Sequence, residues 1–213
     1  MPSRTRLAIA GVAAVLAVAA LVVFGNSTGQ PVASSSAPVA QSSHVRGQPT
    51  APITIEEWAD FQCPACGAFA RDTERQLLST YIAKGQVRLV FHHFAFLGSE
   101  SQWAAEASEC ADDEGKFWDL HDKLYASQAG ENRGAFSKDN LKQIGSGLGL
   151  GSSFAACVDS GRYAQRVRDD ANAGKTRGVS ATPTLFVNGR KIEGAIPFDQ
   201  LKAIIDPLLA AAR

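Results

Sequence analysis

The chain has 213 residues, with 21 Lys or Arg balanced by 21 Asp or Glu and 45% hydrophobic side chains. That length holds one domain, or one domain with an insertion, and the apolar fraction is enough for a sizeable core. A formal net charge of zero argues against a nucleic-acid partner, which needs a basic surface, and 4 cysteines in a chain this long are too few for a disulfide-built scaffold.

Residues 7–24 carry no charged or polar side chain, Arg4 and Arg6 precede them, and the first acidic residue is Glu56. Basic residues ahead of an apolar run keep that end in the cytoplasm and export the chain beyond the run. The run is at the short end of what spans a bilayer. A cleaved signal peptide and an uncleaved anchor both fit residues 1–24. No small-x-small site lies directly after the run, which favours the anchor. A buried core helix fits poorly, because the run is N-terminal and a linker succeeds it. The remainder is expected outside the cytoplasm, on the periplasmic or cell-wall side, and secreted if the segment is cleaved. Disulfides persist there. Residues 25–48 are rich in Ser, Ala, Gly, Gln and Pro and lack hydrophobic periodicity, so a flexible tether is expected.

Residues 53–61 read as a strand, punctuated by Cys63-Pro64. Pro64 suits the first position of a helix, where its missing N–H is unpaired anyway. That helix is expected to run to about Lys84, with Gly85 as its cap. Residues 86–92 alternate and are rich in β-formers, completing a strand–helix–strand unit. From Ser99 to about Lys175 the pattern turns helical, over 101–111, 115–125, 137–144, 152–158 and 163–175, with Gly- or Asn-bearing turns between. Strand signals return at 184–187 and 191–193 around Asn188-Gly189, a strong hairpin turn. Residues 199–212 close the chain as an amphipathic helix. The order predicts an α/β protein with segments 49–96 and 176–213 forming one domain and 97–175 inserted as a helical domain.

Cys63 and Cys66 flank Pro64-Ala65 at the start of a helix. Unpaired amides and the helix dipole there favour a thiolate, so Cys63 is the expected attacking and leaving group. Cys66, one turn further in, is the expected resolving thiol. Half a zinc site and a purely structural disulfide are the competing readings. Structural zinc wants four ligands, and adjacent His92 and His93 complete a tetrahedron poorly, so no metal is expected. Cys110 and Cys157 lie in the helical block and are expected to pair as a structural disulfide, with electron relay or two free thiols as alternatives. His92, His93 and His121 read as local hydrogen-bonding or surface residues, with His93 a candidate positive neighbour of Cys63. Trp58, Trp103 and Trp118 read as core.

Four segments together resemble the DsbA-like thiol–disulfide oxidoreductases of the thioredoxin superfamily, in their membrane-tethered bacterial branch. They are EWADFQCPAC from Glu57 to Cys66, RLVFHHF from Arg88, FWDLHD from Phe117 and GVSATPTLFVNG from Gly178. The resemblance covers about residues 50–209 and implies a thioredoxin-like fold with an inserted α-helical domain. It implies a cis Thr182-Pro183 bond facing the cysteines, with the Thr182 backbone open to an extended substrate strand. It implies that Glu57, six residues before Cys63, is a buried acid able to relay the proton of Cys66. The Pro64-Ala65 pair departs from the Gly-Pro of thioredoxin and the Pro-His of the best-known DsbA proteins, and this dipeptide helps set the reduction potential.

The expected function is an oxidase that donates its disulfide to exported, folding proteins. It would need no bound cofactor and would be reoxidised by a DsbB- or VKOR-like membrane partner. A reductase or isomerase of the same fold, and a tethered peptide-binding domain with a silent dithiol, are the alternatives. A monomer is expected.

Overall fold

The structure is a computed structural model that describes residues 44–212. The expected anchor, and the expected tether up to Ser43, lie outside the described residues. Among the described residues no helix is long and apolar enough to cross a membrane.

Five strands form one sheet: β1 (Val45–Arg46), β2 (Ile53–Ala59), β3 (Val87–His93), β4 (Thr184–Val187) and β5 (Arg190–Glu193), in the order β1-β3-β2-β4-β5. β2 and β3 run parallel, with Ile53 opposite Val87 and Ala59 opposite His93. β4 lies antiparallel to β2 on its other side, and β5 folds back on β4 through Asn188 and Gly189, both at positive φ. This is the geometry that an Asn-Gly hairpin turn requires. The Asn188 side chain also accepts the Thr54 amide at 2.8 Å, tying the hairpin to β2.

The crossover from β2 to β3 is helical, as a parallel pair demands. It is not the single helix expected from the sequence. α1 (Pro64–Arg71) ends at Asp72, α2 (Thr73–Leu77) restarts at once, and a π-helical turn completes the crossover over Leu78–Ile82. Asp72 has a stretched φ of −118° within the right-handed helical region, and beside it the Thr73 hydroxyl donates to the Ile196 carbonyl at 2.9 Å. That bond ties the break to the loop after β5, and no glycine or proline at the break announces it.

Between β3 and β4 come α3 (Ser99–Asp112), α4 (Phe117–Ala126), α5 (Lys138–Gly147), α6 (Ser152–Ser160) and α7 (Ala164–Thr176); α8 (Phe198–Ala211) closes the chain. Phe117, Leu120, Leu124, Phe136, Leu141 and Phe154 of the helical block share one buried cluster with Phe61, Cys63, Cys66 and Phe91. The insert is thus part of the active-site core. Ile53, Ile55, Leu89 and Leu185 pack with Leu77, Leu201 and Ile205 in a second cluster, where α2 and α8 cover the sheet. Trp58, Phe94 and Phe186 form a third with Ala171 and Val179. Gly174 lets α7 approach here, since a Cβ would lie 2.6 Å from the Trp58 ring.

Two expectations are corrected. The tether does not extend to Gln48: Val45 pairs with Val90 and Arg46 with Leu89, and His44 is buried. Of the two readings of His93 and His121, the surface one is excluded, at 1% and 0% exposure, while His121 makes the local hydrogen bond, to Asp122 Oδ1 at 2.8 Å.

Candidate active site

Cys63 stands at the N-cap of α1 with extended backbone, and Pro64 is the first helical residue. The Cys63 amide donates to the Asp60 carbonyl at 3.0 Å, and the Cys63 carbonyl accepts from Gly67 at 3.1 Å. The first turn has no acidic side chain to oppose an anion. Both cysteines are free thiols; Cys63 is 8% exposed and Cys66 fully buried. The Thr182-Pro183 bond is cis, and the Thr182 carbonyl lies 3.4 Å from Cys63 Sγ.

This setting splits the two thiols. A hydrogen bond from Cys66 stabilises the Cys63 thiolate, against the opposing effect of burial. The contact with Thr182 and the amides of Cys66 and Ala65 help, and together these bring the Cys63 pKa down to about 6. Burial pushes the Cys66 thiol well above its ordinary range, reinforced by its bond to Cys63 and by the Glu57 carboxyl. One sulfur is therefore activated and the other held protonated. Alkylation of Cys63 by iodoacetamide in the reduced chain is expected to rise with a pH midpoint near 6. A midpoint at the ordinary thiol value of about 8.5 would contradict this geometry.

Glu57 points inward from β2 with no exposure, and neither carboxyl oxygen has a hydrogen-bond partner. Burial, then the neighbouring Glu74, raise its pKa well above the usual range, with Arg46 opposing. Such a carboxyl can hold a proton near neutrality. Glu56, facing the other way, pairs with Arg177.

Three residues that the sequence did not single out hold the loop before Cys63. Buried Asp60 accepts from Ser101 Oγ at 2.6 Å, the Gln62 amide at 2.8 Å, and the amides of Phe96 and Leu97 at 2.9 and 3.1 Å. Gln62 Nε2 donates to Ser101 Oγ at 2.8 Å, and its Oε1 accepts the Asn132 amide at 2.6 Å. Gln128, just beyond α4, donates to the carbonyls of Phe61 at 2.8 Å and Cys63 at 2.9 Å. Asp60 and Gln62 carried a signal, as polar residues between an apolar strand and the first cysteine; Gln128 carried none.

Cys110 and Cys157 form a disulfide that joins α3 to α6, with their Cα atoms 5.9 Å apart. His93 turns to Glu109, with Nε2 3.2 Å from the carboxylate, and its ring lies 6.0 Å from that of Phe61. Among the described residues, neither active-site thiol joins a set of three potential metal ligands; the sets that gather are His44, His93 and Glu109, and Glu74, His121 and Asp122.

The sequence model of the family described as Thioredoxin matches residues 40–207. Disulfide bond formation protein D of Bacillus subtilis is 30% identical over 81% of this chain and 79% of its own. Na(+)/H(+) antiporter NhaA 3 of Salinispora tropica is 39% identical over 80% of this chain, which spans only 25% of that protein's length. The crystal structure of oxidised BdbD from Bacillus subtilis superposes with a TM-score of 0.73 at 29% identity, over 78% of this chain and 92% of that one. With the strand order, the helical insert and the Cys-x-x-Cys helix already in place, these likenesses make the chain a DsbA-like member of the thioredoxin family.

Proposed function

We propose that the chain is a thiol–disulfide oxidoreductase working outside the cytoplasm, tethered to the membrane by residues 1–24, and that it donates the Cys63–Cys66 disulfide to exported proteins as they fold. One observation carries this reading: an activated Cys63 at the start of α1, beside cis Thr182-Pro183, is backed by a buried, protonated Cys66. A substrate thiolate attacks Cys63 Sγ, the Cys63–Cys66 bond breaks, and Cys66 takes up a proton. A second substrate thiolate then attacks the substrate sulfur of the mixed disulfide and expels the Cys63 thiolate. The substrate has lost two electrons and the enzyme has gained them. Glu57 supplies and removes the Cys66 proton. The Thr182 backbone, next to the sulfur, offers hydrogen bonds to an extended substrate segment. A DsbB- or VKOR-like membrane partner returns the monomeric enzyme to its disulfide form, with no cofactor bound to the chain itself.

The direction comes from the thiolate. Only the reduced form contains it. A Cys63 pKa of about 6 therefore stabilises the reduced state above that pH, and the effect is lost as pH falls through about 6. Equilibration of the full chain in glutathione buffers, monitored by tryptophan fluorescence, is expected to give an oxidising potential, with the reduced form more resistant to urea than the disulfide form. A strongly reducing, thioredoxin-like potential would replace the oxidase with a reductase.

A further inference from the structure

Cys66 cannot exchange its proton with water directly, and neither can Glu57, since both are fully buried. The charged groups that act on Glu57 are Glu74 of α2 and Arg46 of β1. Glu74 is 1% exposed. Its Oε1 accepts from Arg46 Nη1 at 2.7 Å, while its Oε2 has no hydrogen-bond partner. That free oxygen lies 4.0 Å from His121 Nε2, which is also buried without a partner. The other ring nitrogen, Nδ1, is 2.8 Å from Asp122 Oδ1, and the Asp122 side chain is 58% exposed. Arg46 Nη2 reaches Asp122 Oδ2 at 2.7 Å, so a single guanidinium fixes both ends of the file. A cavity of about 70 Å³, bordered by Arg46, Asp122 and Tyr125, opens at the outer end and has room for water.

We propose that Glu74, His121 and Asp122 form the outlet through which the Cys66 proton, once on Glu57, reaches solvent. This rests on the reading of Cys63–Cys66 as an exchanging dithiol. An imidazole can take a proton on one nitrogen and release one from the other, which suits a group set between a buried and an exposed carboxylate. During reoxidation the Cys66 proton passes to Glu57, Cys66 Sγ attacks Cys63 Sγ of the mixed disulfide, and the partner leaves as a thiolate. The proton then moves through Glu74 and His121 to Asp122 and water. In the donor reaction the same route runs inward and protonates the departing Cys66. Other ionisable groups around the file include Tyr125 of α4, whose hydroxyl is buried, Arg71 and Arg75, which border the outer cavity, His44, which acts on His121 through its charge, and Asp60, which is committed to the Ser101 hydroxyl and backbone amides. A purely structural role, locking β1 to α2 and α4, would affect stability without making the rate depend on external proton carriers.

The test is reoxidation of the reduced full chain by glutathione disulfide, measured by stopped-flow fluorescence between about pH 6 and 8. His121→Ala is expected to slow the Cys66-dependent step about tenfold, less than loss of a group that touches the reacting atoms. Added imidazole is expected to restore the rate, and iodoacetamide alkylation of Cys63 to keep its midpoint. The surface variant Asp122→Asn should lose about two- to threefold, with the same response to imidazole, and it carries the test if His121→Ala does not fold. Variants that match the parent, or that slow without responding to imidazole, overturn the outlet while leaving the dithiol chemistry standing. A parent chain that does not exchange with glutathione at all overturns both.

Discussion

Replacing Cys63 with alanine is expected to reduce disulfide transfer to the uncatalysed background, a loss of at least about a thousandfold, as when a nucleophile is removed. The reason lies in the asymmetry of the pair. Cys66 is fully buried, and burial holds its thiol above the ordinary range, so the surviving sulfur is neither reachable nor ionised. The reciprocal variant behaves differently. Cys66→Ala keeps the accessible sulfur but removes the resolving thiol, so mixed disulfides with substrate are expected to accumulate. It also removes the largest single stabilisation of the Cys63 thiolate. Its alkylation midpoint should therefore move upward from about 6. Non-reducing gels of the two variants with a reduced, unfolded substrate check the first pair of outcomes, and the alkylation profile checks the third. Equal loss in both variants, with no trapped adduct, would sink the assignment of attacking and resolving sulfurs.

Much of the fold was legible because local signals and tertiary structure agree. The Val- and Ile-rich alternation of 53–59 and 87–93, the Asn-Gly turn and the Cys63-Pro64 helix start each carry a backbone preference that the fold uses unchanged. Illegible features were those decided by distant partners. Val45 and Arg46 sit beside a Ser-, Gly- and Gln-rich stretch and look like part of it; they become a strand because β3 offers an open edge and Arg46 finds Glu74 and Asp122. Asp72 interrupts the first helix with no glycine or proline nearby. The two adjacent histidines were misleading for the same reason. On a strand they must point to opposite faces, so His93 enters the core against Glu109 while His92 lies between Glu56 and Asp170.

The site shows the same division. Cys63, Cys66 and Pro183 lie in motifs with characteristic spacing. Strand alternation alone leaves Glu56 and Glu57 as alternatives; the family resemblance selects Glu57, and Glu57 is the buried one. Glu74, His121 and Gln128 had no local signature, because what makes them notable is what they face: an empty acceptor, an unpaired ring nitrogen and two carbonyls of the active-site loop.

The second large effect concerns stability. Removing the Cys110–Cys157 disulfide by the double substitution Cys110→Ala and Cys157→Ala is expected to lower the unfolding free energy by about 4 kcal/mol, from the chain entropy regained by the unfolded state. The bond closes a loop of 47 residues in sequence separation, and both sulfurs sit in the cluster that also holds Cys63 and Cys66. It holds α3, which supplies Ser101 to the Asp60 network, against α6. On the proposed reading the bond has a supporting role and no part in electron transfer. The double variant should therefore unfold at lower urea concentration, with a slope equal to or steeper than the parent's because its unfolded chain is less compact, while its Cys63 alkylation midpoint stays near 6. Its exchange rate with glutathione should also stay within about twofold of the parent, because the residues around the thiolate are untouched. If stability held and exchange collapsed instead, the bond would be carrying electrons, and the second cysteine pair would belong to the reaction.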